Sequence, residues 1–361
     1  MRICIVVDNL DPHAGWGRLA LRVAEGFKNN GHEVSFIIEK KPKNIIDKNL
    51  IIPLRLSLKN ILRLPLTLLL IRSFINDYDV VLCYDVNPNG IILNLANLGQ
   101  RRKIVIHALA TYSLFGHRKP IRNFFMRWAY NRSKRILVVS EFTKREIEKS
   151  GFKLKDASIV PVGVDTDYFH PISDKERISS YPFVLSVGAL KDRKGYHFTI
   201  PAFGLIAKEF PDLKYVIIGD KSIRAYYKIV NDIAEQLNLR DRVVFLDKIK
   251  DDDLLRYYNN AKLYIQTSAT EPDSIEGFGM VYLEASACGI PTIGAYNTGA
   301  EAAIKNNETG ILVKHDSKDI ADAMRKILTD DSYSKKLGSN GVKWAEKFNW
   351  PVVVDMYLEN I

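Results

Sequence analysis

The sequence predicts an α/β protein made of two doubly wound units in series, and three observations predict it. Short apolar runs of strand length alternate with longer amphipathic runs from residue 3 onward, the pattern of parallel strands joined by crossover helices. The alternation breaks over residues 160–182, where Pro161, Pro171 and Pro182 cluster with Gly163, and then restarts. Finally, 361 residues are too many for one ordinary core and suit two.

The first unit, expected over residues 1–165, opens with a strand at 3–7 and a loop from Asp8 to Gly17. A helix over 19–29, ended by Gly31, and a strand at 34–38 follow. Such a βαβ start places ligands at the carboxyl ends of the strands. Further buried strands are expected at 80–83, 104–107 and 136–139, with Ser140 capping a helix over 143–149. The second unit, expected over 166–348, restarts with a strand at 184–187, a Gly/Lys loop and a helix through Ile206. It continues with a strand at 215–218, a helix around 227–237, a strand at 243–245, a helix at 252–259 and a strand at 263–266. The tail, 349–361, has Val353, Val354, Tyr357 and Leu358 at helical spacing.

With 47% apolar and 26% charged residues, the composition is that of a folded, soluble chain rather than a disordered one. Cys4, Cys83 and Cys288 form no C-x-x-C pair, which predicts a cytosolic protein without disulfides or zinc. No signal peptide is expected, since Arg2 runs directly into a strand. No apolar run approaches membrane-spanning length. Charge is unevenly placed: residues 1–170 hold 27 Lys/Arg against 15 Asp/Glu, and residues 171–361 hold 25 against 27, giving +12 and −2. Residues 101–135 alone carry ten basic residues and no acid. A field of that sign draws phosphorylated substrates, polyanions or an anionic membrane surface.

The most informative stretch is Glu276-Gly-Phe-Gly-Met-Val-Tyr-Leu-Glu284. Gly277, Phe278 and Gly279 form a turn before an apolar helical run from Met280 to Ala287. Glu276 then lies on a loop at the helix N-terminus, and Glu284 lies inside the helix. Free N–H groups and the helix dipole suit a diphosphate at Gly279, Met280 and Val281. Two acids reaching past that phosphate suit sugar hydroxyls, so the combination reads as a nucleotide-sugar grip.

This stretch resembles the E-x7-E motif of the retaining glycosyltransferases of family 4, which have the GT-B fold of two facing Rossmann-like domains. The similarity continues through Ala285-Ser-Ala-Cys-Gly289-Ile-Pro291 and Thr309-Gly-Ile-Leu-Val313, and is strong from about residue 184 to 315. The resemblance implies a metal-independent, retaining transfer of a hexose-type sugar from a UDP- or GDP-sugar, with no cofactor. In it the first domain reads the acceptor and the second grips the donor, while the terminal helix packs back on the first domain. Glu276 would hold sugar hydroxyls and Glu284 the ribose.

The loop Gly188-Ala-Leu-Lys-Asp-Arg-Lys-Gly195 looks like the family's phosphate-binding segment, which places Lys194 on the diphosphate. Positive charge there stabilises a departing diphosphate. Ala189 stands where the family has an arginine, a departure that Arg193 or Lys191 would have to offset. Gly15 and Gly17, with Arg18 beside them, correspond to the family's donor-covering glycine loop. His107, at a strand end, corresponds to a histidine that touches the transferred sugar. His13 and His117 carry no assignment.

Asp165-Thr-Asp167 could suggest metal binding, but it reads as a turn cap in the linker. Asp251, Asp252 and Asp253 read as an N-cap and dipole partners of the next helix. Competing readings are a catalytically silent nucleotide-sugar binder, a nucleotide-sugar 2-epimerase and a basic nucleic-acid-binding protein. The last would stack bases on Phe124, Phe125, Trp128 and Tyr130, though that spacing equally fits a buried helix face. The charge of residues 101–135 predicts peripheral attachment to the inner face of the cell membrane and a lipid-linked or polysaccharide acceptor.

Overall fold

A computed structural model describes residues 1–12, 15–39, 49–51, 62–173, 177–247, 249–271 and 274–361. The chain forms two compact units, Met1–Gly163 with Trp350–Ile361, and Val164–Asn349.

Unit 1 is built on a seven-stranded parallel sheet: β1 (Arg2–Val7), β2 (Glu33–Ile38), β3 (Asn49–Ile51), β4 (Val80–Tyr84), β5 (Lys103–Ala108), β6 (Arg135–Val138) and β7 (Ser158–Ile159). Their spatial order is β3-β2-β1-β4-β5-β6-β7. Ile3 sits between Val34 and Val80 in register. Such central strands are buried on both faces, which is why they read as unbroken apolar runs. Helix α1 (Gly15–Asn29) begins earlier than the sequence suggests, so Gly15 and Gly17 lie in its first turn rather than in an open loop. Ser140 caps the helix Glu141–Lys149 by accepting from the Thr143 N–H, as its type and place predict.

The C-terminal helix Trp350–Asn360 belongs to this unit. It lies so close to α1 that a Cβ on Gly26 would sit 2.3 Å from a Val354 methyl. Tyr357 meets the Phe27 ring edge-on at 6.0 Å.

Unit 2 repeats the plan with six parallel strands: β8 (Phe183–Val187), β9 (Lys214–Ile218), β10 (Val243–Leu246), β11 (Leu263–Ile265), β12 (Thr292–Ala295) and β13 (Gly310–Val313). Their order, β10-β9-β8-β11-β12-β13, is that of the first six strands of unit 1. Val184, Ile200, Phe203, Tyr215, Ile265 and Met324 belong to one buried core between the sheet and its helices. Asp165 accepts from the Tyr168 N–H at 3.1 Å, the turn its linker position predicts. At the helix Asp251–Asn260, Lys250 takes the cap position instead of an aspartate; Asp251, Asp252 and Asp253 occupy the first turn, where the dipole favours them.

Cys4, Cys83 and Cys288 are buried, and none is joined in a disulfide. No helix among the described residues is long and apolar enough to cross a membrane.

Candidate active site

The site in unit 2 forms where two loops leave the carboxyl ends of its strands, one after β8 and one after β11. After β8, residues 188–195 run through a short turn, Asp192–Lys194, to Gly195. A Cβ on Gly195, whose φ is +75°, would lie 1.9 Å from the Thr267 carbonyl oxygen. Only glycine lets this loop press against the one that follows β11. The Ala269 N–H donates to the Arg193 carbonyl at 2.8 Å and locks the two loops together.

Farther along, the loop that follows β11 carries Glu276 to the start of the helix Met280–Ala287. Gly279, at φ +84°, ends that loop, and no side chain caps the helix. The first-turn N–H groups, at Met280 and Val281, therefore keep the anion-binding character of a helix N-terminus. The Phe278 side chain is buried against Phe348, so at this position only the backbone is placed to meet a ligand. Gly277 is equally a backbone position: a Cβ on Gly299 would lie 2.3 Å from its carbonyl carbon.

Glu276 gathers the sequence-predicted cations around one oxygen. Its Oε2 lies 2.7 Å from Lys194 Nζ and 2.5 Å from an Arg193 guanidinium nitrogen. The Ser268 hydroxyl oxygen lies 3.2 Å from the same oxygen. With the Gln266 amide oriented to satisfy its neighbours, its carbonyl accepts from Lys194 at 3.2 Å. Burial alone would raise the Glu276 carboxyl, but the Lys194 and Arg193 charges outweigh it and hold the group well below the usual carboxylate range. Lys191, half-buried nearby, has its ammonium pulled down by burial and then by the Arg193 and Lys194 charges. Arg193 thus stands beside Lys194 as a second cation on Glu276.

Glu284 lies on the same helix but in a separate environment. It is only 4% exposed, and Tyr258 donates its hydroxyl to Oε2 at 2.8 Å.

Gln266 and Ser268 were not singled out from the sequence, nor was Tyr282, whose hydroxyl donates to the Gln266 carbonyl at 2.6 Å. The available signal was the polar run Gln266-Thr-Ser268 directly after an apolar strand, where ligands of doubly wound sheets sit.

In unit 1 the predicted residues do not form a comparable cluster. Gly17 packs onto the preceding loop, since a Cβ there would lie 2.2 Å from the Asp11 carbonyl oxygen. His107 departs from its expected place. It is 0% exposed, with Nδ1 at 2.6 Å from the Tyr357 hydroxyl and Nε2 at 2.9 Å from the Val160 carbonyl. Burial drives its pKa down to about 3, so the ring is neutral and both nitrogens are engaged inside the unit. The residue ties the C-terminal helix to β5 rather than reaching a sugar. Phe124 is exposed while Tyr130 is buried, so the aromatic run of that helix is split between faces. His13 lies outside the described residues. Among those residues, no group of three or more His, Cys, Asp and Glu side chains is placed to hold a metal ion.

Two family descriptions match the chain in succession: "Glycosyltransferase Family 4" over residues 14–168 and "Glycosyl transferases group 1" over 170–344. A GDP-mannose-dependent alpha-(1-6)-phosphatidylinositol monomannoside mannosyltransferase of Mycobacterium tuberculosis is 26% identical over 270 residues, 71% of this chain and 69% of that protein. Among solved structures, sucrose-phosphate synthase from Thermosynechococcus elongatus superposes with a TM-score of 0.82 at 19% identity, covering 99% of this chain and 97% of that one. Anabaena HepE in complex with UDP and glucose gives 0.79 at 18%, covering 99% and 98%. The fold is GT-B.

Proposed function

We propose, since this chain belongs to the group 1 glycosyltransferases of family 4, that it moves a hexose-type sugar from a UDP- or GDP-sugar to a hydroxyl acceptor, with retention and without a metal. The observation that supports this reading is the ion cluster of Lys194, Arg193 and Glu276 at the N-terminus of the helix Met280–Ala287.

In this mechanism the diphosphate takes the place beside the helix N-terminus and the two cations. Lys194 and Arg193 neutralise charge as it builds on the departing phosphate, where fixed charges act most strongly. The acceptor hydroxyl attacks from the leaving-group side, and its proton passes to the departing phosphate oxygen. No carboxylate base is needed. Glu276, freed from part of its ion pairing by the phosphate charge, accepts hydrogen bonds from sugar hydroxyls. Glu284 accepts from the ribose hydroxyls.

The donor choice draws on relatives: one is named for GDP-mannose and one neighbour holds UDP and glucose. Free-nucleotide release across UDP-, GDP- and ADP-sugars, with and without EDTA, tests the reading. Turnover of one donor class that survives EDTA is expected; turnover with none, or only with added manganese or magnesium, overturns it. Lys194→Ala should weaken nucleoside diphosphate binding far more than nucleoside binding, and equal losses by calorimetry would make Lys194 structural.

Attachment to an anionic membrane is the second part of the proposal. The helix Pro120–Arg132 leaves Ile121 and Phe124 exposed, at 77% and 64%, next to Arg118, Lys119 and Arg122. Each basic residue near such a surface contributes on the order of 1 kcal/mol. Salt-reversible co-sedimentation with anionic but not neutral vesicles is expected, and equal binding to both would sink it.

A further inference from the structure

The two edges of the unit 1 sheet carry opposite kinds of charged side chain. The carboxyl edge holds Asp8 and Asp85 among the amides of Asn87 and Asn89, around a cavity of about 210 Å³. Asp85 there is 2% exposed, at φ 61° and ψ 155°. The amino edge holds a larger cavity, of about 480 Å³, lined by Lys103, Lys134, Arg135 and Lys155. All of its lining residues belong to unit 1. Substrates of doubly wound sheets bind at the carboxyl ends of the strands, so a ligand at the amino edge is additional to those of the transfer reaction.

Four separate stretches of chain build this lining. Lys103 opens β5, and Arg135 opens β6 in register with Val105. The Lys134 backbone is fixed by its N–H, which donates to the Ile104 carbonyl at 2.8 Å. Lys155 comes from the turn before β7, and residues 359–361 complete the lining from the end of the C-terminal helix. Helix ends account for part of the charge. The helix Pro120–Arg132 already has Arg132 in its last turn, whereas Trp350–Asn360 has no basic residue there. Arg135 serves that second end, donating to Asn360 Oδ1 at 3.1 Å. Lys103, Lys134 and Lys155 are surplus: among the described residues, none of the three has an ion pair or a side-chain hydrogen bond. Like charges gathered around one concavity raise the local potential and concentrate anions.

The rest of the lining says which anion. A phosphoryl group, with about two negative charges and three acceptor oxygens, matches three lysines better than a lone carboxylate does. Asp156 and Glu359 stand among the lysines with the amides of Asn131 and Asn360, groups that accept hydrogen bonds from hydroxyls. Even with the Ile361 carboxylate counted as a third, the acids are fewer than the four cations. Tyr130, the aromatic residue of the lining, is 4% exposed and donates its hydroxyl to the Ser113 carbonyl at 3.1 Å, so it offers no face to a stacked base. The volume falls within the roughly 300–1,000 Å³ of small-molecule sites.

We propose that this cavity binds a polyol phosphate, its phosphoryl group met by Lys103, Lys134 and Lys155 and its hydroxyls by Asp156 and Glu359. The site is separate from the donor grip of unit 2 and stands independently of the reaction proposed above.

Calorimetry on the full chain at low salt, with glucose 6-phosphate and glycerol 3-phosphate as probes, tests it. At least one ester should bind roughly tenfold tighter than inorganic phosphate, glucose or glycerol. Lys103→Ala and Lys155→Ala should each weaken that binding roughly tenfold, the loss of one charge-assisted hydrogen bond, while Lys194→Ala in unit 2 leaves it unchanged. Thermal melts without ligand check that each variant is folded. Lys155 lies on an exposed turn, so Lys155→Ala decides the matter if Lys103→Ala is not folded. Neither heat nor a thermal shift with either ester at millimolar concentration, equal affinity for inorganic phosphate, equal binding in the folded variants, loss of binding in Lys194→Ala, or tighter binding of a nucleoside monophosphate would overturn the proposal. Vesicles carrying phosphatidylinositol 4-phosphate identify the source. Co-sedimentation above that of phosphatidylserine vesicles of equal charge, removed by Lys155→Ala, assigns the site to a lipid headgroup; binding of the soluble esters alone assigns it to a free phosphate ester.

Discussion

The two units share one strand order and present opposite chemistries at the same edge of the sheet. In unit 2, Lys194 and Arg193 converge on Glu276, and every charge in the cluster has a counterion. In unit 1, Asp85 and Asp8 stand among amides, and Asp85 keeps one buried oxygen unmet. A doubly wound sheet fixes where a ligand sits, at the carboxyl ends of its strands. The residues immediately after those strands fix what it is. A cation cluster at a helix N-terminus suits an anion, and a cavity lined by carboxylates and amides suits groups that donate hydrogen bonds.

The largest expected effect comes from breaking the unit 2 cluster. Glu276→Gln leaves Lys194 and Arg193 without their counterion. Because these side chains keep only 12–13% exposure, the loss should approach the low end of a broken buried pair, about 3 kcal/mol. Turnover should fall on the order of 100-fold. Glu284→Ala should instead weaken nucleotide binding with less effect on turnover. Denaturant melts and steady-state kinetics of both variants check this; wild-type kinetics in both would dissolve the assignment.

A smaller effect should come from titration, and its sign should differ between the units. Glu276 is held below its ordinary value by Lys194 and Arg193, against burial, so its contribution is present at neutral pH and lost only in strong acid. Asp85 is pushed up to about 7 by burial, and by the Asp8 charge, against the Ser113, Leu109 and Ala110 hydrogen bonds. Between its ordinary 3.8 and about 7 the folded state binds more protons than the unfolded one. Stability attributable to Asp85 therefore falls as pH rises through that window. His107 works the other way, since burial keeps it neutral while the unfolded histidine protonates below its ordinary 6.5. The measurement is thus the difference between wild type and Asp85→Asn. Wild type should lose about 2 kcal/mol relative to the variant from about pH 5 to about pH 7. Parallel pH profiles would mean that Asp85 is not buried as described.

The smallest effect concerns the residue whose place the sequence misjudged. Tyr357→Phe removes the hydroxyl at His107 Nδ1 and should cost about 1–2 kcal/mol of stability with kcat unchanged. A large loss of kcat at unchanged stability would return His107 to the reaction.

Nine of the strands, and the helix that carries Glu284, were legible because parallel strands buried on both faces and glycine-flanked helices leave local patterns, whereas the short strands β3, β7, β12 and β13 were not. Lys194, Arg193 and Glu276, which the structure brings together, each sit in a short motif at a strand or helix end. His107 was misread because its partners lie 53 and 250 residues away along the chain. No local pattern encodes a hydrogen bond to Tyr357 or to the Val160 carbonyl. Asp85 was passed over because nothing in Tyr84-Asp85-Val86 announces a carboxylate in a left-handed backbone with one oxygen unmet. That property exists only once Leu109 and Ser113 have folded over it.

The chain path has a consequence for engineering. Unit 2 occupies one continuous span, and its two ends meet: Val164 bridges to Asn349, and the Val164 N–H donates to the Phe348 carbonyl at 2.8 Å. The flanking residues of unit 1 meet as well, since a Cβ on Gly163 would lie 2.5 Å from the Trp350 ring. Unit 2 is therefore a cassette spliced into a single gap of its host. Exchanging residues 164–349 for the corresponding span of a relative would pass through one double junction and leave the sheet and core of unit 1 uncut.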